Sequence, residues 1–231
     1  MDFKSSEWSW ALYVAPMACF LAMTACEGSL PGATEGTPSP WYPAFYALKV
    51  AAVVGVLVAC RSTWRDYLPI AKLPAIGLAA GLGLLVAVVW VGIDGWYPSL
   101  PFLGKRVGFN PMTSIESPAG RYGFLAVRMF GLVAMVPFLE ELFWRSFLIR
   151  WIINPEIDKV PVGTVTPVAA AITSLAFAAA HPEWLPAILT GAAWAALLWR
   201  TKSLSACLVS HSVANLGLGA YAMATGEWKF L

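Results

Sequence analysis

Long apolar runs recur along the chain, separated by short stretches rich in Gly, Pro, Ser and charged residues. A helix rises about 1.5 Å per residue, so crossing a bilayer takes roughly 20 mostly apolar residues. Seven segments meet that requirement: 8–25, 41–60, 73–93, 121–140 (continuing as helix toward 152), 164–181, 183–199 and 203–224. The pattern predicts an all-α fold, a polytopic transmembrane helical bundle of about seven membrane helices, in a single integral-membrane domain over 1–231. The first connection, EGSLPGATEGTPSP, carries no lysine or arginine. The longest, YPSLPFLGKRVGFNPMTSIESPAG, has room for a short interfacial helix. No repeat of fixed period is visible.

Composition agrees with this reading. The residues are 59% hydrophobic and 12% charged, and mean hydropathy is +0.68. Soluble domains carry about twice that charge fraction. Basic residues are scattered among short loops rather than gathered in a stripe, so no nucleic-acid partner is expected. Cys19, Cys26, Cys60 and Cys207 form no CxxC and no metal-ligand spacing, which reads as apolar filling rather than a disulfide framework. MDFKSSEWSW has no basic n-region and no A-x-A site ahead of a short apolar core, so the first apolar segment is expected to remain as a span.

The loop charges set an orientation. With the N-terminus inside, Lys4, Arg61, Arg65, Lys72, Arg150, Lys159, Arg200 and Lys202 share one side, against Lys105, Arg106, Arg121 and Lys229 on the other. The positive-inside rule then places the N-terminus in the cytoplasm and the C-terminus outside. Trp41, Trp96, Trp184, Trp199 and Trp228 fall at span ends, where amphipathic rings form interfacial belts.

Three basic residues fall inside spans. Lys49 in FYALKVAAV and Arg128 in FLAVRMFG read as snorkelling or headgroup-facing side chains. Arg145 differs, because FLEELFWR puts it beside two carboxylates. Charges buried in hydrocarbon cost several kcal/mol each unless they find partners or water. On an α-helix Glu141 and Arg145 share a face, acid first, while Glu140 is turned about 100° away and stays free. Adjacent buried carboxylates also repel, which suits one of them to general-base work. Pro137, one turn earlier, removes a backbone donor at the same place.

The chain's two histidines add to this cluster. His181 closes FAAAH and shares a face with Phe177, and His211 opens HSVAN and shares a face with Asn215. Three otherwise apolar helices thus each present polar groups. A purely structural polar network joining the helices is the plain alternative. Ser210 and Ser212 point to other faces than His211, and no Ser or Cys sits in a recognisable nucleophile motif. A carboxylate that activates water, with His and Asn as donors, fits better. Zinc hydrolysis competes, since Glu and two His can ligate zinc, but HExxH is absent and the histidines lie thirty positions apart. No metal or other cofactor is expected.

EELFWR, FAAAH and HSVAN, in that order and each within a span, resemble the EExxxR, FxxxH and HxxxN motifs of the CPBP (Abi) family, which includes the type II CAAX prenyl proteases. The resemblance covers roughly 120–225. Within it, FWRSFLIRWIINPEIDKVPVGT, HPEWLPAILTG and RTKSLSACLVSHSVANLGLGAYAMATGEWKF are similar to the exosortase-associated CAAX prenyl protease-related branch of bacterial proteins. The resemblance implies a glutamate-type intramembrane endopeptidase of the bacterial inner membrane, acting on a peptide or membrane-protein substrate and tied to an exosortase system. By motif matching, Glu140 is the general base for water with His181 assisting, His211 and Asn215 hold the oxyanion, and Glu141, Arg145 and Phe177 support the site.

The spans raise one geometric conflict. A fifth span starting near 164 carries His181 about 25 Å across, whereas the same count leaves Glu140 and His211 nearer the cytoplasmic half. Convergence requires a fourth span shifted to about 134–152, or a fifth that is short, tilted or re-entrant. Two non-proteolytic classes remain from sequence: a membrane scaffold or chaperone of a sorting system, and a small transporter using Glu140, His181 and His211 as a proton relay, although no inverted repeat supports it.

Overall fold

A computed structural model of the chain describes residues 10–34 and 38–231. Lys4 in the charge count, the first two positions of the 8–25 span and positions 35–37 of the first loop lie outside the described residues.

Among the described residues the protein is all-helical, with seven main helices. They are α1 (Ala11–Glu27), α2 (Tyr42–Ala59), α3 (Leu73–Gly92), α4 (Pro118–Ile153), α5 (Pro167–Ala179), α6 (Trp184–Thr201) and α7 (Leu204–Thr225). The helices α2, α3 and α4 are long and apolar enough to cross a membrane by length and composition. Leu84, Leu85, Val88, Leu175 and Leu216 are exposed on the outer surface. Such a belt of large apolar side chains is a lipid-facing surface, and the chain is an integral membrane protein.

Local chemistry sets the boundaries. Proline occupies the first turn of α2, α3, α4 and α5, where its missing N–H costs nothing. Ser117, Thr166 and Ser203 cap α4, α5 and α7 by accepting backbone N–H bonds. The segment before α4 contains only single turns at Pro101–Leu103 and Pro111–Ser114. It is held down by Arg106 on Glu183 at 3.1 Å and by the Trp184 indole N–H donating to Pro98 O at 2.9 Å.

The last helix, α7, packs most extensively on α3 and also lies along α4, while α5 pairs with α6. The α3–α7 contact depends on Gly83: a Cβ there would lie 2.3 Å from the Ser210 carbonyl oxygen. The two backbones therefore touch at the turn that carries His211.

Two sequence expectations are corrected here. Lys49 is buried rather than snorkelling; its ammonium pairs with Glu27 and lies over the Phe20 and Tyr46 rings. Arg128 does not reach a headgroup either, since its guanidinium stacks on Tyr46 and donates to Leu231 O. In both cases a partner was available on a neighbouring element, and an internal partner avoids the cost of dragging the charge outward.

A third correction concerns helix type. Around the acidic motif α4 is not a regular α-helix but winds as π-helix over Gly131–Met135 and Glu141–Leu148. The Val136 N–H bonds Gly131 O and the Ile149 N–H bonds Trp144 O, five residues back in each case. Such widened turns re-aim side chains and recur at functional sites.

Candidate active site

The depth conflict is removed by the short fifth helix and by the length of α4, which is not shifted to 134–152 but spans Pro118–Ile153. α4 continues thirteen positions beyond Glu140, to Ile153, and α5 is a short helix that ends just before His181. The end of α4 and the start of α5 are joined by one short connection. Glu140 and His181 therefore stand at nearly the same rise, about 20 Å, from that common side.

Glu140, His181, His211 and Asn215 line one cavity of about 550 Å³, together with Trp144 and Phe177. The cavity extends past Arg106 and Glu183 toward Lys49 and Arg128. Glu140 is 7% exposed, and its Oε2 lies 3.9 Å from His211 Nε2. Glu141 is fully buried, and its Oε1 accepts from His211 Nδ1 at 2.8 Å. The two carboxylates thus contact opposite edges of one imidazole. Because Nδ1 donates to Glu141, a neutral His211 presents a lone pair at Nε2, and only its imidazolium form donates from both nitrogens.

Arg145 and Glu141 are paired as the spacing predicts, with Nε to Oε2 at 3.5 Å. The contact lacks hydrogen-bond geometry, and no guanidinium nitrogen of Arg145 has a hydrogen-bond partner. Aromatic faces stand in for such partners. The guanidinium carbon lies 4.8 Å from the Phe177 ring centroid and 5.0 Å from that of Trp194. A desolvated cation over an aromatic face is stabilised by about 2 kcal/mol.

Phe177 also packs on the His181 ring, with centroids 4.4 Å apart and planes tilted by 38°. Its carbonyl takes the bond from His181 Nδ1 at 2.7 Å. A carbonyl only accepts, so Nδ1 of His181 carries the proton and Nε2 keeps its lone pair when the ring is neutral. One phenylalanine therefore serves both the arginine and the histidine. Asn215 donates through Nδ2 to the Leu132 carbonyl at 2.8 Å.

Residues 122–217, fewer than half of the chain, match the family model described as Type II CAAX prenyl endopeptidase Rce1-like. The motif-bearing region belongs to this family. No curated protein and no solved structure matches the chain. The Rce1-like region runs from the first turns of α4 into α7 and contains all seven motif residues. It excludes α1 to α3, which supply the wall at Lys49 and the close contact at Gly83.

Trp194 escaped the sequence reading. It is 2% exposed, its ring centroid lies 4.1 Å from that of His211 with the planes tilted by 30°, and it donates from Nε1 to Ser210 Oγ at 3.0 Å. Its signal was its place in the middle of a span, in AAWAALL, away from the interfaces that explain the belt tryptophans. Tyr67, in the turn Arg61–Tyr67, also acts on the Rce1-like helix from outside the matched region. Its hydroxyl donates to the Phe138 carbonyl at 2.6 Å.

Farther along α4, Asp66 accepts from Tyr13 at 2.8 Å and from Arg150 at 2.6 Å, and Ser146 joins the same carboxylate. This network ties α1 and the 61–67 turn to α4 without entering the cavity. In the loops at the other end, burial and the charges of Glu183 and Asp94 push the Tyr97 phenol up to about 12. The Asp94 carboxylate holds Lys229 above its ordinary value. Tyr97 therefore stays neutral and Lys229 charged through the neutral pH range. Among the described residues no group of three or more His, Cys, Asp or Glu is placed to hold a metal ion.

Proposed function

We propose that this protein is a glutamate-type intramembrane endopeptidase, with Glu140 as the base that activates water. The observation that carries the reading is the convergence of Glu140 from α4, His181 from just past the end of α5 and His211 from α7 on one cavity large enough for water and a peptide segment. A network that existed only for packing would pair these groups tightly and leave no room.

Water held between Glu140 and His181 gives a proton to the Glu140 carboxylate as its oxygen attacks the peptide carbonyl carbon. His211, held by Glu141 and packed against Trp194, donates from Nε2 to the developing oxyanion in its imidazolium form. The C–N bond then breaks, and the leaving amine takes the proton from Glu140. Arg145 balances the Glu141 charge, and Phe177 aligns Arg145 and His181.

The chain acts as one domain in a bacterial inner membrane, with the N-terminus cytoplasmic, on a membrane-anchored or sorted protein. The resemblance of residues 143–164, 181–191 and 200–230 to the exosortase-associated branch favours a substrate from that sorting system over a prenylated one. The test is cleavage of a peptide library, with prenylated and unmodified members, by the purified protein and by Glu140→Gln. Cleavage by wild type alone supports the reading. Absence of cleavage by folded wild type would move the assignment to a non-catalytic membrane scaffold.

A further inference from the structure

The Leu132 carbonyl lies in the first π-helical turn of α4, and two neighbouring features strip it of backbone donors. In an α-helix it would accept from the Val136 N–H, but that group is turned onto Gly131 O. In a continued π turn it would accept from residue 137, which is proline and has no N–H. A carbonyl without a donor in hydrocarbon is costly, and the helix would unwind or shift to pair it. Asn215 Nδ2, 2.8 Å away, is the donor that does pair it.

We infer that Asn215 is a positioning residue whose amide replaces the N–H that Pro137 lacks, and that it sets the place of Glu140 through the backbone of α4. Glu140 follows Pro137 by three residues, less than one turn. The turn that Asn215 secures is therefore the one from which the Glu140 carboxylate is aimed. His211 and Asn215 sit one turn apart on α7 and engage α4 on either side of Glu140, at Glu141 and at Leu132. α7 thus clamps the π-helical part of α4 at two points. The widened turn, the proline and the asparagine form one device. This assignment is distinct from a direct oxyanion role for Asn215: one of its two amide N–H groups is committed to the protein's own carbonyl.

The inference rests on Glu140 as the base for its catalytic consequence, but its first readout does not need an activity. Asn215→Ala orphans Leu132 O, and Asn215→Asp replaces the donor with an acceptor of the same shape. Each should lower the melting temperature of the purified protein by roughly 5 °C. Pro137→Ala restores a backbone N–H. That group either bonds Leu132 O directly or lets the turn relax so that Val136 N–H does. In the double variant Pro137→Ala/Asn215→Ala at least half of the lost melting temperature should return, or, where Asn215→Ala gives no folded protein, folded yield should return. Additive effects of the two substitutions would overturn the inference, whatever the protein's reaction proves to be. Once a cleaved peptide is in hand, the double variant should also recover most of the cleavage lost in Asn215→Ala. Restored melting with cleavage still absent would overturn the positioning role and return Asn215 to the reacting carbonyl.

Discussion

Arg145→Ala tests the electrostatic centre of the site. Arg145 is 1% exposed and Glu141 is fully buried, so neither charge has water as an alternative partner. Removing the guanidinium leaves Glu141 with His211 alone. It also strips the Phe177 and Trp194 faces of the cation they stack on, and empties a large side-chain volume. Breaking one partner of a buried pair costs about 3–5 kcal/mol, and each aromatic contact adds up to about 2 kcal/mol. These terms overlap, and His211 retains part of the Glu141 interaction, so about 4 kcal/mol is a fair total. For a chain of this size each kcal/mol moves the melting temperature by about 2–4 °C. Arg145→Ala should therefore melt roughly 8–16 °C below wild type in detergent, with reduced folded yield. Arg145→Lys keeps the charge but loses the planar stack, and should fall between the two. The assay is thermal unfolding followed by intrinsic tryptophan fluorescence, helped by Trp144 and Trp194 beside the perturbed group. A melting temperature for Arg145→Ala within about 2 °C of wild type would show that the pair and its aromatic bed contribute nothing to stability.

Glu140→Gln keeps the shape of a side chain that borders the cavity, so it should melt close to wild type while losing cleavage by about 100-fold or more. Equal cleavage by the variant would remove Glu140 from the reaction. Activity should survive strong chelation and metal-free purification; stoichiometric zinc in the purified protein, with activity lost to chelation and restored by zinc, would make it a metalloprotease. Gly83→Ala should destabilise the protein and weaken cleavage together, because its Cβ meets the Ser210 backbone, which cannot yield without moving His211. Gly81→Ala, where a Cβ meets nothing, is the control and should match wild type.

Much of the architecture was legible in the sequence because hydrocarbon leaves the chain few choices. A run of apolar residues of spanning length has to be helical, and the seven segments read from hydropathy correspond to α1 through α7 with shifts of a few residues. The motif pairs were legible for a related reason. Glu141 with Arg145, and Phe177 with His181, are polar or aromatic groups one turn apart, and such pairs meet on any helix. The contacts between helices were not legible. That His211 would bond Glu141 rather than only face Glu140 depends on how α7 crosses α4, and no spacing within either segment encodes that crossing. Lys49 and Arg128 were misread for the same reason. Lys49 meets Glu27 on α1 and Arg128 meets Tyr46 on α2, and a lone charge in a span invites the snorkelling reading when its partner lies on another helix. The π-helical turns were signalled only by Pro137, whose missing N–H was evident while the identity of the group replacing it was not.

The same reasoning explains why the charges in FLEELFWR are tolerated inside the helical bundle. Each buried charge or polar edge is met by a group from a different helix. Arg145 lies against α5 through Phe177 and α6 through Trp194, Glu141 holds α7 through His211, and α7 returns to α4 at Leu132. Four helices are thereby fixed around Glu140 by contacts that do not involve its carboxylate, which is left facing the cavity with His211 Nε2 at 3.9 Å. That division of labour is what a water-activating base requires. The neighbours bear the cost of burial, and the carboxylate itself stays unpaired enough to take a proton. A structural network would gain stability by closing the remaining gap between Glu140 and His211 to hydrogen-bond distance. That the gap stays open beside a cavity favours the hydrolytic reading over packing alone.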